Sequence, residues 1–100
     1  MGTLYYGASR LALKIDDVTL AHLRVVATAK LRRGESFTVS WTDPDAPEDS
    51  RESLWIHRDA DLMFVLDARA PRLDNALLAS MSAAAYVARG IEIEARRVTP

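Results

Sequence analysis

From Asn75 to Ala88 the chain reads NALLASMSAAAYVA, a helix-forming stretch that contains neither an acid nor a base. A helix that meets water along one side normally carries charge there; one that is apolar nearly all round is packed on more than one side. In a chain of 100 residues one small core hardly provides for that. The stretch therefore points to a second helix, a second subunit, or both. Ala79 and Ala83, four residues apart, are small enough to let another helix approach closely, and Tyr86 follows on the same side.

A second helix is well marked. Asp16 and Asp17 supply an N-cap and a first-turn acid for a helix from about Val18 to Arg33. Gly34 is the natural residue past its end, and Lys30, Arg32 and Arg33 sit where the helix dipole favours cations. At 100° per residue its apolar positions form two stripes: Leu20, Leu23, Ala27 and Leu31 along one, and Val18, Val25 and Ala29 along another. The first suits a sheet, the second another helix or a partner chain. Arg24, Thr28 and Arg32 share one polar arc; Thr19, His22, Lys30 and Arg33 fall roughly opposite.

The remaining segments read as strands. Thr3 to Tyr6 and Leu11 to Ile15 flank a hairpin turn at Gly7-Ala8-Ser9-Arg10. Ser36 to Thr42 alternates cleanly, with Phe37, Val39 and Trp41 on one face. The segment DPDAPEDS, Asp43 to Ser50, is a solvent loop by its prolines and charges. Glu52 to Arg58 places Leu54 and Ile56 opposite Ser53, Trp55 and His57. Leu62 to Asp67 is apolar on both faces and suits a central position, completing an antiparallel meander. Pro71 breaks the run, Asp74 or Asn75 caps the uncharged helix, and Gly90 ends it. Ile91 to Val98 gives a last, more polar strand at an edge.

The order ββ-α-βββ-α-β, in one domain spanning residues 1–100, predicts an α+β fold. Its simplest form is an antiparallel sheet of about five or six strands with both helices on one face. A chain of this size buries roughly two thirds of its unfolded surface. The formal net charge of −1 creates no global field toward nucleic acid or anionic membrane. The chain has no cysteine, which removes disulfides, thiolate nucleophiles and sulfur-ligated metals. No secretory signal pattern opens the sequence, and no apolar run approaches the ~20 residues of a bilayer span. A cytoplasmic location, with no membrane partner, is the expectation.

The stretches MGTLYYG, IDDVTLAHL, KLRRGESF with the SW that follows, and LWIH resemble a family of short, uncharacterised actinobacterial proteins. Members of that family are often labelled ATP-dependent DNA ligases. The resemblance extends over most of residues 1 to 66. Beyond it the family pattern has a proline after His57 and an Asn-Arg-x-Trp stretch opening the second helix, where this chain has Arg58 and Asp74-Asn75-Ala76-Leu77. A ligase function is not supported by the residues. Adenylate transfer needs a nucleophilic lysine in the pattern Lys-x-Asp-Gly, and the only lysines, Lys14 and Lys30, stand in KIDD and KLRRG.

Other chemistry-bearing patterns have plainer readings. Asp43 and Asp45 have the spacing of the first two EF-hand ligands, but Pro47, Glu48 and Leu54 occupy the positions of the third ligand, the glycine and the bidentate acid. Ser53 and His57 lie i and i+4 on a strand, about 13 Å apart, too far for a nucleophile and its base. His57 reads as half-buried and Trp55 as cover for the sheet or for a subunit contact. No catalytic residue, cofactor or metal is expected. The sequence points to a non-enzymatic interaction domain that self-associates as a homodimer, with Val18, Val25, Trp55, Ala79, Ala83 and Tyr86 as candidate interface residues. The alternative is a nucleic-acid accessory domain using Arg24, Lys30, Arg32 and Arg33, with Arg96 and Arg97 as further contacts.

Overall fold

Asp16 starts the first helix by side-chain capping. In the computed structural model, which describes residues 1–7, 11–47, 50–67, 69 and 71–98, strands β1 (Gly2–Tyr6) and β2 (Leu11–Ile15) precede helix α1 (Asp17–Arg32). The Asp16 carboxylate accepts from the backbone N–H groups of Val18 and Thr19 at 3.1 and 3.3 Å, satisfying two of the donors that every helix start leaves open. At the other end Gly34 has φ of 70°. The N–H groups of Gly34 and Glu35 return to the carbonyls of Leu31 and Lys30, the paired bonds of a Schellman close.

Then follow β3 (Phe37–Thr42), β4 (Glu52–Ile56), β5 (Leu62–Val65), α2 (Asn75–Ala84), β6 (Ile91–Glu94) and β7 (Arg96–Val98). The α+β class and the element order hold, with the last strand broken in two. The single sheet does not: the strands form a four-stranded sheet, β5-β1-β2-β7, and a three-stranded one, β4-β3-β6. The first is antiparallel throughout, whereas β3 and β6 run parallel. The hairpin residues 8–10 and part of the acidic loop, residues 48 and 49, lie outside the described residues.

Two strands account for the difference. β5 leaves the expected meander and pairs with β1, and just before it the N–H of Gly7, at β1's end, donates to the Asp61 carbonyl at 2.7 Å. It is an edge strand rather than a central one, with Leu62 and Phe64 packed on the core and Met63 and Val65 exposed. The final segment pairs with β3 as far as Glu94 and with β2 from Arg96. Between them the buried Ala95 donates its N–H to the Thr42 carbonyl at 3.2 Å. One segment thus joins both sheets.

The core collects Leu4, Leu13 and Ile15 from the first sheet and Phe37, Val39, Trp41, Ile56, Ile91 and Ile93 from the second. Leu20, Leu23, Val26 and Ala27 of α1 close over it. Ser40 is buried on the polar face of β3, and its hydroxyl donates to the Arg89 carbonyl at 2.8 Å. Its single hydrogen being used there, the 2.8 Å contact with Ser53 has Ser53 as donor. This fastens both β4 and the segment after α2 to the central strand.

The arc of Arg24, Thr28 and Arg32 on α1 is exposed, but the polar residues opposite it are not all so. His22 and Lys30 are buried, while Val18 and Ala29 of the second apolar stripe are exposed and Val25 is partly covered. The reason is that α2 packs on the ridge His22–Val26–Lys30, whose members are four apart. His22 Nδ1 lies 2.6 Å from the Val18 carbonyl and must donate to it. Nε2 is then free to accept, and it takes the N–H of Asp74 at 2.8 Å. Eight residues on, Lys30 Nζ lies 3.2 Å from the centroid of the Tyr86 ring. Since His22 meets the residue that opens α2 and Lys30 meets one just past its end, the two helices run in the same direction.

Asp74 is the N-cap of α2 and accepts from Ala76 at 2.9 Å. The helix ends at Ala84, earlier than the sequence implies, and is packed on one side only. Met81 is its one buried residue, with Leu77, Leu78 and Ala84 partly covered and Asn75, Ala76, Ala79, Ser80, Ser82 and Ala83 exposed. Absence of charge did not require burial here, because alanine and serine present little apolar area to water.

Two substitutions test these contacts. Gly34 and Gly90 share a positive φ, yet a Cβ at Gly34 meets nothing within 4 Å whereas one at Gly90 collides with the Thr38 backbone. Gly34→Ala should cost about 1–2 kcal/mol, the left-handed penalty alone, and Gly90→Ala at least ~3 kcal/mol in urea unfolding; equal losses would refute the close approach. His22→Phe keeps an aromatic ring but leaves the Asp74 N–H without its acceptor. It should lose about 1–3 kcal/mol by the same measurement, and an unchanged midpoint would remove the bond's significance.

A candidate interaction surface

Strand alternation puts Trp55 outside. Leu54 and Ile56 turn toward the core, which leaves Ser53 and Trp55 on the open face of β4 and His57 exposed just past its end. The Tyr6 hydroxyl donates to the Trp55 carbonyl at 3.1 Å and ties that position to the first sheet. Trp55 is 59% exposed, and Tyr86 and Val87 are 66% and 58% exposed. For large apolar side chains in a small protein these are costly placements.

The three residues border one groove of about 480 Å³, floored by Phe37 and Lys30 and edged by Ser36 and Thr38. Lys30 is 3% exposed. Its Nζ is 3.7 Å from Glu35 Oε1, longer than a hydrogen bond, and that oxygen already accepts from Arg33 Nε at 3.0 Å. Ser36 Oγ accepts the Arg58 N–H at 2.9 Å. The groove therefore combines a buried ammonium, two exposed aromatic rings and short polar side chains.

The structure distributes the candidate interface residues over three places. Trp55 and Tyr86 meet at the groove, Ala79 and Ala83 lie on the solvent flank of α2, and Val18 and Val25 lie on the outer side of α1. A further surface was not apparent in the sequence. The strand register aligns Met63, Tyr5, Ala12 and Val98 in one cross-strand row of the four-stranded sheet, with Met63, Tyr5 and Val98 all exposed. The alternation of β1 carries a trace of it, but the row exists only once β5 pairs with β1.

The basic residues do not form one patch. Lys30 is buried, Arg33 is bonded to Glu35, and Arg24 and Arg32 line a separate groove with Leu31 and Phe64. Arg96 forms an ion pair with Asp45, and Arg97 donates to Glu52 at 3.0 Å. His57 is exposed rather than half-buried, and its Nδ1 accepts the Asp59 N–H at 3.1 Å. Asp43 accepts the Asp45 N–H at 2.9 Å, a local turn contact. Among the described residues no three His, Asp or Glu side chains gather as a metal site, and no helix is long and apolar enough to cross a membrane.

No curated protein and no solved structure matches the chain. A family model does, over residues 1–96, nearly the whole sequence and both sheets. The uncharacterised family suggested by the N-terminal motifs is thereby given its definition: the chain belongs to DUF7882, a domain of unknown function.

Proposed function

We propose that this protein is a non-enzymatic interaction domain that self-associates as a homodimer through the solvent flank of α2. The observation that carries this reading is that flank itself: Ala76, Ala79, Ser80 and Ala83 form an uncharged, nearly smooth surface open to solvent. A surface without charge or long side chains imposes little desolvation and little side-chain ordering on a partner. Around a two-fold axis it meets its own copy, so a single patch completes the contact. The nucleic-acid alternative draws less support, since Lys30 is buried and Arg33, Arg96 and Arg97 are engaged by carboxylates.

Light scattering at micromolar concentration should give twice the 11.1 kDa of one chain. Ala83→Glu sets two carboxylates against each other across the axis and should return the mass to that of one chain. Because Ala83 is exposed, the variant's stability, compared at a dilution where both proteins are monomeric, should change by no more than ~0.5 kcal/mol. A wild-type protein that scatters as a monomer contradicts the reading, as does a variant that stays dimeric.

A further inference from the structure

We propose that the groove between Trp55 and Tyr86 is a binding site for a monocarboxylate joined to a flat apolar body, with the Lys30 ammonium holding the carboxylate. The groove is complete within one protomer, so this inference goes beyond self-association and does not depend on it.

The ammonium carries the argument. An ammonium has three N–H donors and no acceptor, and its burial is costly unless those donors are met. Among the described residues Lys30 has the Tyr86 ring on one side and Glu35 Oε1 at 3.7 Å. A ring face attracts the charge without supplying a lone pair, and the Glu35 oxygen is committed to Arg33. Among the described residues no hydrogen-bond acceptor reaches Nζ, and since no buried side-chain nitrogen is left unpartnered, Nζ keeps an edge open to water where Lys30 lines a space of about 480 Å³, within the range of small-molecule sites. A carboxylate oxygen entering that space takes the place of water at Nζ in a charge-assisted bond.

The same geometry selects the ligand's charge and shape. Glu35 beside Nζ repels a dianion more strongly than a monoanion, which disfavours phosphate monoesters. The exposed ring of Trp55 and the buried Phe37 at the floor offer flat apolar contact for the remainder of the molecule.

The test uses 3-phenylpropionate and its neutral twin 3-phenylpropionamide, titrated into the full chain and followed by amide and indole NMR signals. The acid should shift Ser36, Thr38, Val87 and the Trp55 indole saturably, with affinity about tenfold above the amide's. Lys30→Met keeps the buried stem and should abolish that preference. Trp55→Ala removes an exposed ring, leaves the fold intact and should weaken the acid several-fold, so it decides the matter should Lys30→Met not fold. Shifts that do not saturate, equal binding of acid and amide, or an undiminished response in Trp55→Ala would each overturn the proposal.

Discussion

The imidazole of His22 fastens together two helices that lie far apart in the chain, and the rest of the molecule is arranged around that link. One ring nitrogen returns a hydrogen to its own helix at Val18 while the other accepts the N–H of Asp74 at the start of α2. Both bonds are possible at once only for the neutral ring protonated at Nδ1. The ring is fully buried, so neither bond competes with water, and loss of either leaves a polar group stranded. Lys30 repeats the arrangement eight residues further on, with the Tyr86 ring in place of a hydrogen bond. Held at both ends, α2 needs to bury only one side. That leaves the opposite flank, and the groove beside Tyr86, open to other molecules.

The two sheets are held to each other by equally local means. Ala95 is small enough to be buried where the final segment passes from β3 to β2, and a larger side chain there would have to displace core atoms. Gly90 lets the chain leave α2 directly against the backbone of Thr38. Ser40 then accepts from Ser53 and donates to Arg89, so β4, β3 and that exit share one hydroxyl. Trp55 is presented from a strand fixed by these contacts, not from a loop. A rigid mount for an exposed aromatic ring lowers the ordering cost of binding.

Much of this was legible in the sequence, and the parts that were not have physical reasons. α1 could be bounded because Asp16 and Gly34 act through adjacent backbone groups, and β3 and β4 because their inner and outer residues differ in polarity. Leu62-Met63-Phe64-Val65 suits the centre of a meander because both faces are apolar, whereas β5 pairs with β1 along its whole length and leaves Met63 and Val65 exposed at the sheet edge. The burial of His22 and Lys30 could not be read from their own helix, because it depends on partners, Asp74 and Tyr86, that are distant in sequence. The flank of α2 misled for a related reason. Lack of charge does not distinguish a buried helix from one whose exposed residues are merely small. The groove was visible in pieces, as an outward Trp55 and a lone Tyr86, but its ammonium became apparent only when the two helices were placed together.

The account rests on the protonation and bonding of one ring, which nitrogen NMR of His22 reads directly. The two bonds predict a hydrogen on Nδ1 that is slow to exchange and a scalar coupling from the Asp74 amide to Nε2. A ring protonated at Nε2, or one that exchanges freely between the two forms, would contradict it.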